Sequence, residues 1–566
     1  MGDGRIVWVA WLQGWQQAPL LCHHCLQSWR EHNPSWDVRP IDLLAIRYLL
    51  DLPDLRDKQI TAASFADLVR VQLLHEFGGV WVDATLLCRQ PLDGWLGPAL
   101  AQGFFAFDRP AADRMLASWF LATSHAGHPL VSRWYDASLA YWQHRDRAHA
   151  YFWFHDLFRQ ICAADPELAA CWQRVPRRTA DGPHRAQQLG LGCEDPAALC
   201  RIDEEASPVL KLTHRHDPAL FGRSCLLTWL LGPHTPPAIA GPQPSCVLTD
   251  GSQATLAGLT VSSINLGDHI QIHACHRLHS RLWGLPRIGV DRDDGIASLP
   301  GLTELASCRR LPIVMNGWFK YNRAEWPPHP SLWPAYVGFH VRLLQCPQLV
   351  APPAIAHYRE HGPIGCRDLW TTELLLSHGV DAYLSHCLSM TLPRRIPAVV
   401  PPTETMVVSR DRQILAYLPS QIGPYTFVSH YSEGTDYDVN MARAIRLMDL
   451  YRDRAKLVIT TLLHCALPAM AMGIPVVMVW PPNPPAGRES DRQRFSSLGA
   501  MMPILEPAQL ADLDPAAATV PGSAGKLRAL DSFALATGRW RLQPRPLAWS
   551  LAPASVLPPP GECQTA

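Results

Sequence analysis

At 566 residues the chain is too long for one hydrophobic core, and ordinary domain sizes divide it into about three to five units. Lys plus Arg equals Asp plus Glu at 50 each, so no charge excess marks a nucleic-acid or anionic-membrane surface. The most apolar run, residues 457–480, is broken by His464, Pro468, Gly473 and Pro475, which excludes a membrane span there.

The 16 cysteines are irregularly spaced, and Arg5 leads into an alternating strand-like run where a secretory leader would be apolar. Reduced thiols in a cytoplasmic protein are therefore expected. Cys22-His23-His24-Cys25 has metal-like spacing, but no second C-x-x-C completes it, and it reads as helix packing.

In chain order, residues 6–10 read as a first strand with a loop behind it from Trp11 through Gly14 to Trp15. Residues 18–32 read as a helix and 35–39 as a second strand. Ser64 with Asp67 fits a capping box, and Phe65, Leu68, Val69 and Leu73 recur at helical spacing. Gly78 and Gly79 stop that helix, and Val80-Trp81-Val82 is a short strand. Asp83 and Thr85 leave its carboxyl end, where α/β sheets place ligands. Asp67 and Arg70, three apart, share a helix face that points at the same crevice. Singly, each has a structural role open to it: Asp67 as a cap, Arg70 as its partner, Asp83 as a strand end. The ordered set, with the Gly-Gly turn at that offset, points to a site. An aromatic helix begins at residues 151–155, and residues 211–215 close this part of the chain.

Residues 231–250 are rich in Pro and Gly and read as a linker. A second α/β run follows. Residues 259–264 are a strand, Asn265 to Asp268 a tight turn, and 269–283 an amphipathic helix. Residues 311–315 form a strand ending at Asn316. Val337 to His340 comes next, then Gly362 to Asp368 leads a helix that Gly379 stops. Residues 456–461 are a strand, His464 sits at the turn, a helix runs to 472, and 473–479 return to the sheet.

The first part resembles the DxD-type glycosyltransferases, most closely the bacterial capsular polysaccharide synthesis proteins, through Trp8, Trp11 and Gly14 (W-x-x-W-x-x-G) and the Asp67 to Thr85 set. The resemblance implies a GT-A-like nucleotide-sugar fold. Asp67 and Arg70 would contact the donor, and Asp83 would anchor Mn2+ or Mg2+ on its diphosphate, whose charge a carboxylate-held metal neutralises. Trp11 and Gly14 would meet the base, and His214 would be a second metal ligand unless it is simply solvated. Thr85 stands where a DxD motif has its second acid, and a hydroxyl is the weaker ligand for a hard cation.

The second part is similar to the polysaccharide pyruvyltransferase family over most of residues 255–500, through N-L-G-D, M-N-G-W-F, G-F-H-V, P-I-G-C-R-D and H-C-A-L-P-A-M-A-M-G-I-P-V-V. That family implies two facing Rossmann-like halves, as in GT-B enzymes, with the ligand in the cleft. It transfers the enolpyruvyl unit of phosphoenolpyruvate onto two sugar hydroxyls as a ketal. Asn265, Asp268, Asn316 and His340 are donor-side candidates, and Arg367 would clamp an anion. His464 would bind phosphate or serve as the acid. A plain N-cap for Asp268, a core role for His340 and a local ion pair for Arg367 with Asp368 stay open. The family carries an arginine two residues before this histidine, where this chain has Leu462.

The sequence thus predicts an α/β chain with a GT-A-like domain (1–230), a linker (231–250), a GT-B-like pair of Rossmann-like halves (about 251–395 and 396–545) and a Pro-rich tail (546–566). The expected function is a bifunctional enzyme of bacterial surface polysaccharide assembly. It takes a nucleotide-sugar donor, phosphoenolpyruvate and an oligosaccharide or lipid-linked glycan acceptor, in the cytoplasm or peripherally at the inner membrane. A double glycosyltransferase and a catalytically decayed glycan-binding protein are the alternatives.

Overall fold

The computed structural model describes residues 5–195, 207–221, 223–231, 255–293, 310–319, 326–341, 347–398, 400–482, 489–515, 522–542 and 544–553, with a few single residues between. The expected linker falls outside the described residues apart from Leu231, as does the tail beyond residue 553. The chain forms two compact units, one of Met1–Gln243 with Pro546–Ala566 and one of Pro244–Arg545. Both are α/β. Among the described residues no helix is long and apolar enough to cross a membrane.

The first unit is built on a mixed sheet in the order β2-β1-β3-β6-β5. Its strands are β1 (Ile6–Ala10), β2 (Asp37–Ile41), β3 (Gly79–Asp83), β5 (Phe104–Ala111) and β6 (Arg114–Thr123). β1 runs parallel to β2 and β3, and β6 runs antiparallel to β3 and β5. β4 (Leu86–Cys88) and β7 (Val209–Lys211) make a separate antiparallel pair. The second strand lies two residues later than predicted, because Asp37 and not Ser35 registers with Ile6, and Pro40, which lacks an N–H, is tolerated on this edge.

The helix Ala62–Phe77 starts earlier than its predicted capping box. Thr61 is the N-cap, its Oγ1 accepting from the Ser64 N–H at 3.3 Å, so Asp67 sits in the second turn and caps nothing. The Gly78–Gly79 stop is as expected, with φ of 71° and 91°, and a Cβ at Gly79 would meet the Ile6 carbonyl oxygen at 2.6 Å. Trp8 ties strand to turn by donating to the Gly78 carbonyl at 3.0 Å. At the start of this helix Phe65 packs against Trp549, ring centroids 5.0 Å apart, and the Ala552 N–H donates to the Ile60 carbonyl at 2.7 Å.

The second unit holds two parallel sheets. The first is ordered β13-β12-β11-β10-β8-β9, from β8 (Leu256–Thr260), β9 (Arg287–Asp291), β10 (Leu311–Trp318), β11 (Leu332–His340), β12 (Ile364–Cys366) and β13 (Ala382–Leu384). The second is ordered β15-β14-β16-β17-β18, from β14 (Glu404–Val408), β15 (Tyr425–Val428), β16 (Ala455–Thr460), β17 (Val476–Val479) and β18 (Ile504–Leu505). Each sheet sets its first strand between its second and third. That reversal opens a crevice at the carboxyl ends of β8 and β10 in one sheet and of β14 and β16 in the other.

Two boundaries differ from expectation. The strand predicted at 259–264 is Leu256–Thr260, and the helix predicted from 269 begins at Leu266. Asn265 caps it, its Oδ1 accepting from Gly267 N–H at 3.0 Å. N-L-G-D is therefore the first helical turn and not a loop, and Asp268 is not the N-cap.

Candidate functional site

In the first unit the helix Ala62–Phe77 and the end of β3 bring Asp67, Arg70 and Asp83 together. Arg70 Nη2 lies 3.3 Å from Asp67 Oδ1 and 3.5 Å from Asp83 Oδ1, while Nη1 donates to the Ser118 carbonyl at 2.7 Å. Its guanidinium carbon stands 5.1 Å from the centroid of the Trp81 ring, and the Trp81 indole donates to Asp83 Oδ1 at 3.1 Å. On the other side Lys211 Nζ donates to Asp83 Oδ2 and to Thr85 Oγ1, both at 2.8 Å.

The two carboxylates are set far apart in acidity. Burial is the largest influence on each. It lifts Asp67 to about 7, with Asp83 adding to the rise and Arg70 opposing it. For Asp83 burial also acts upward, but Lys211 and Arg70 outweigh it and bring the group down to about 2. Tyr151, at the lip, has its phenol pushed up by burial and by the same two carboxylates.

Thr85 is 7% exposed and lies just past β3, and its carbonyl accepts from Leu212. Trp11 turns its ring edge to His214 at 5.6 Å and has no hydrogen-bond partner for its indole N–H among the described residues. Gly14 has φ of 93° with open space where a Cβ would sit. Burial and the neighbouring Arg215 and Lys211 lower the His214 imidazole, which suits a neutral ring.

The expected Mn2+ or Mg2+ does not fit this donor set. Neither Asp83 nor His214 belongs to a group of three His, Cys, Asp or Glu placed to hold a metal among the described residues. An ion on Asp83 and Thr85 would need the volume that Lys211 Nζ occupies, 2.8 Å from an oxygen of each.

In the second unit the crevice ends of both sheets converge on His464. It sits in the first turn of the helix Leu463–Ala471 with φ −85° and ψ 15°. A Cβ at Gly267 would meet the His464 Cβ at 3.0 Å. Gln271 donates to His464 Nδ1 at 3.2 Å, which leaves the proton on Nε2, 3.8 Å from the Cys387 sulfur. Burial first, then Arg367, Arg494, His430 and Arg292, hold this imidazole well below its ordinary value.

Asp268 is buried against Arg292 at 3.3 Å and accepts from Ser263 Oγ at 2.9 Å. Asn316 donates to the Gln271 carbonyl at 3.0 Å, and its Oδ1 has no hydrogen-bond partner among the described residues. His340 Nδ1 meets Asp368 Oδ2 at 2.6 Å, while Asp368 Oδ1 caps the helix Leu369–Ser377 through the Thr371 N–H at 2.9 Å. Arg367, 3% exposed, stands 3.8 Å from that spoken-for carboxylate with its Nε unbonded among the described residues. Asn265 stays with its capping duty.

Lys211, Gln271, Arg292 and Cys387 were not among the residues expected at these sites. Lys211 carried a signal of sorts, a lone cation in the apolar strand V-L-K-L that follows the Thr85 departure.

Residues 2–221 match the family model described as capsular polysaccharide synthesis protein, and residues 354–483 match that of polysaccharide pyruvyl transferase. O-glycosyltransferase PaGT of Phomopsis amygdali is 27% identical over 157 residues, 24% of this chain and 38% of that protein. O-glycosyltransferase braB of Annulohypoxylon truncatum is 25% identical over 184 residues, 29% of this chain and 43% of that protein. The chain thus spans less than half the length of these relatives. An uncharacterized protein from Klebsiella pneumoniae superposes with a TM-score of 0.26 at 12% identity, covering 43% of this chain and 88% of that one. PaToxG glycosyltransferase superposes with a TM-score of 0.21 at 13% identity, covering 30% and 74%.

Proposed function

We propose, for a transferase that joins a capsular polysaccharide synthesis segment to a polysaccharide pyruvyl transferase segment, that the two units act on one glycan. The first transfers a sugar from a nucleotide-sugar donor, and the second adds a pyruvyl ketal. Tethering keeps the growing repeat unit at high effective concentration near both sites.

The observation that carries the first half is the Asp67–Arg70–Asp83–Lys211 cluster at the carboxyl end of β3. A departing nucleoside diphosphate takes the bonding pair from the anomeric carbon, and fixed cations beside that charge stabilise it. Arg70 is pre-oriented by Ser118 and Trp81, so little freedom is lost when it meets phosphate. Asp67 and Arg70 contact the donor, and Asp83 holds the cationic groups in register.

For the second half the support is the buried Arg367, whose Nε has no hydrogen-bond partner among the described residues and whose charge acts on His464. Phosphoenolpyruvate brings a carboxylate and a phosphate, and Arg367 offers a planar fork for either. Two glycan hydroxyls add to its central carbon as the carbon–oxygen bond to phosphate breaks; one hydroxyl proton ends on the methylene and the other leaves with the phosphate. Leu462 in place of the family's arginine favours a second reading, in which this unit takes a nucleotide sugar instead. The glycan is a bacterial surface polysaccharide, assembled on the cytoplasmic side with the enzyme free or peripheral at the inner membrane.

The test is incubation of the full chain with a glycan acceptor and either phosphoenolpyruvate or a panel of nucleotide sugars. Release of nucleoside diphosphate together with phosphoenolpyruvate-dependent phosphate release supports both activities. Nucleoside diphosphate without phosphate release selects the second reading. Glycan binding without any turnover overturns both.

A further inference from the structure

Two departures from a metal site occur together on facing strands. Thr85 stands where a second carboxylate is expected, and across the β4–β7 pair Lys211 reaches both Thr85 Oγ1 and Asp83 Oδ2 at 2.8 Å. The register accounts for the reach: Lys211 sits opposite Leu86, and the next residue, Leu212, bonds the Thr85 carbonyl. Thr85 and Lys211 together exchange a carboxylate pair and a divalent ion for one carboxylate, one hydroxyl and an ammonium.

Lys211 is not an ordinary surface lysine, since its side chain is only 15% exposed. An ammonium has three hydrogens; two go to Asp83 and Thr85, and the third has no partner among the described residues and can meet an incoming anion. Arg70 Nη2 stands 3.5 Å from the opposite oxygen of Asp83. A divalent cation approaching Asp83 therefore meets two positive charges already in place. A diphosphate meets the same two charges as attraction.

We propose that Lys211 is the built-in counter-cation of this site, gripping the donor's diphosphate in place of a divalent metal, with Arg70 as its partner. The proposal rests on the reading of the first unit as a nucleotide-sugar transferase. A Lys is suited to the task as a compact charge on a flexible stem that follows phosphate oxygens without fixed geometry. The Thr85 hydroxyl, unlike a carboxylate, does not repel the phosphate that Lys211 admits.

Calorimetric titration of the full chain with uridine, guanosine, adenosine and thymidine diphosphates, in EDTA and in MnCl2, tests this. For whichever diphosphate binds, the expected affinity is the same in both conditions to within about threefold. Lys211→Met, which keeps the stem, should weaken binding in EDTA about tenfold or more, and Lys211→Arg should restore most of it. In Thr85→Asp/Lys211→Met binding should return only with MnCl2. Loss of more than about tenfold on adding EDTA to the unaltered chain overturns the proposal, and that comparison needs no variant to fold. Undiminished binding by Lys211→Met also overturns it. A chain that binds none of these diphosphates in either condition overturns the donor reading itself and takes this inference with it.

Discussion

Arg70 Nη2 stands 3.5 Å from Asp83 Oδ1, bridging the helix Ala62–Phe77 and the end of β3, and the same nitrogen lies 3.3 Å from Asp67. One planar group thus aligns a helix, a strand end and, through the Ser118 carbonyl, a third element. Arg70→Lys cannot keep all these contacts, since an ammonium lacks the fork. Expected are a loss of stability of about 1–3 kcal/mol from the unmatched buried groups and a larger fall in donor turnover. Thermal melting read beside donor turnover checks this, and an unchanged melting temperature with unchanged turnover would refute it.

Asp83→Ala should abolish nucleotide-sugar turnover, by about a hundredfold or more, and leave ketal formation intact. Asp83→Asn, of the same shape, should lose activity with little change in fold, because the lost charge is what positions Lys211 and Arg70. Parallel assays of nucleoside diphosphate release and phosphoenolpyruvate consumption separate the units. Survival of both activities would remove Asp83 from the site.

The acidities of Asp67 and Asp83 give opposite pH dependences. Asp67 rises to about 7 on folding, so the folded chain holds an extra proton between the usual carboxylate range and pH 7. Its contribution to stability is complete below about pH 4 and is lost as pH rises toward 7. Asp83 falls to about 2, so its contribution is present above about pH 4 and is lost as pH falls toward 2. Asp67→Asn should therefore gain on the unaltered chain as pH goes from about 4.5 to 7.5, by a few kcal/mol at most. Melting curves at both ends of that window decide it, and an unchanged difference sinks the assignment.

In the second unit Arg367→Ala should lower phosphoenolpyruvate-dependent phosphate release at least about tenfold, as expected for a lost charged contact, with sugar transfer unaffected. His464→Ala should do the same. Gln271→Ala, which frees the His464 Nδ1, should shift the pH profile of that release while still supporting it. A flat profile in Gln271→Ala would show that the ring's tautomer has no bearing on the reaction.

Local chemistry made much of this legible. The β-branched runs of β1 and β3, the Gly78–Gly79 stop and the Asp67–Arg70 spacing are each written within a single strand, turn or helix, and Asp83 follows at the end of the next strand. The cap did not read correctly, because Thr61 and Ser64 both offer a hydroxyl and tertiary packing chose the earlier one. Asn265 likewise took the capping duty expected of Asp268, which is held by Arg292. Lys211 and Gln271 were beyond reach for another reason. Their partners lie 126 and 193 residues away, and no periodicity encodes a contact at that separation.

The packing of Trp549 on Phe65 has a consequence for biosynthesis. Domains generally fold in the order they leave the ribosome. Here Phe65, in the first turns of the helix Ala62–Phe77, meets Trp549 only after the whole second unit has been translated. A nascent chain halted anywhere before residue 549 lacks that contact, so truncation there should destabilise the unit that was made first.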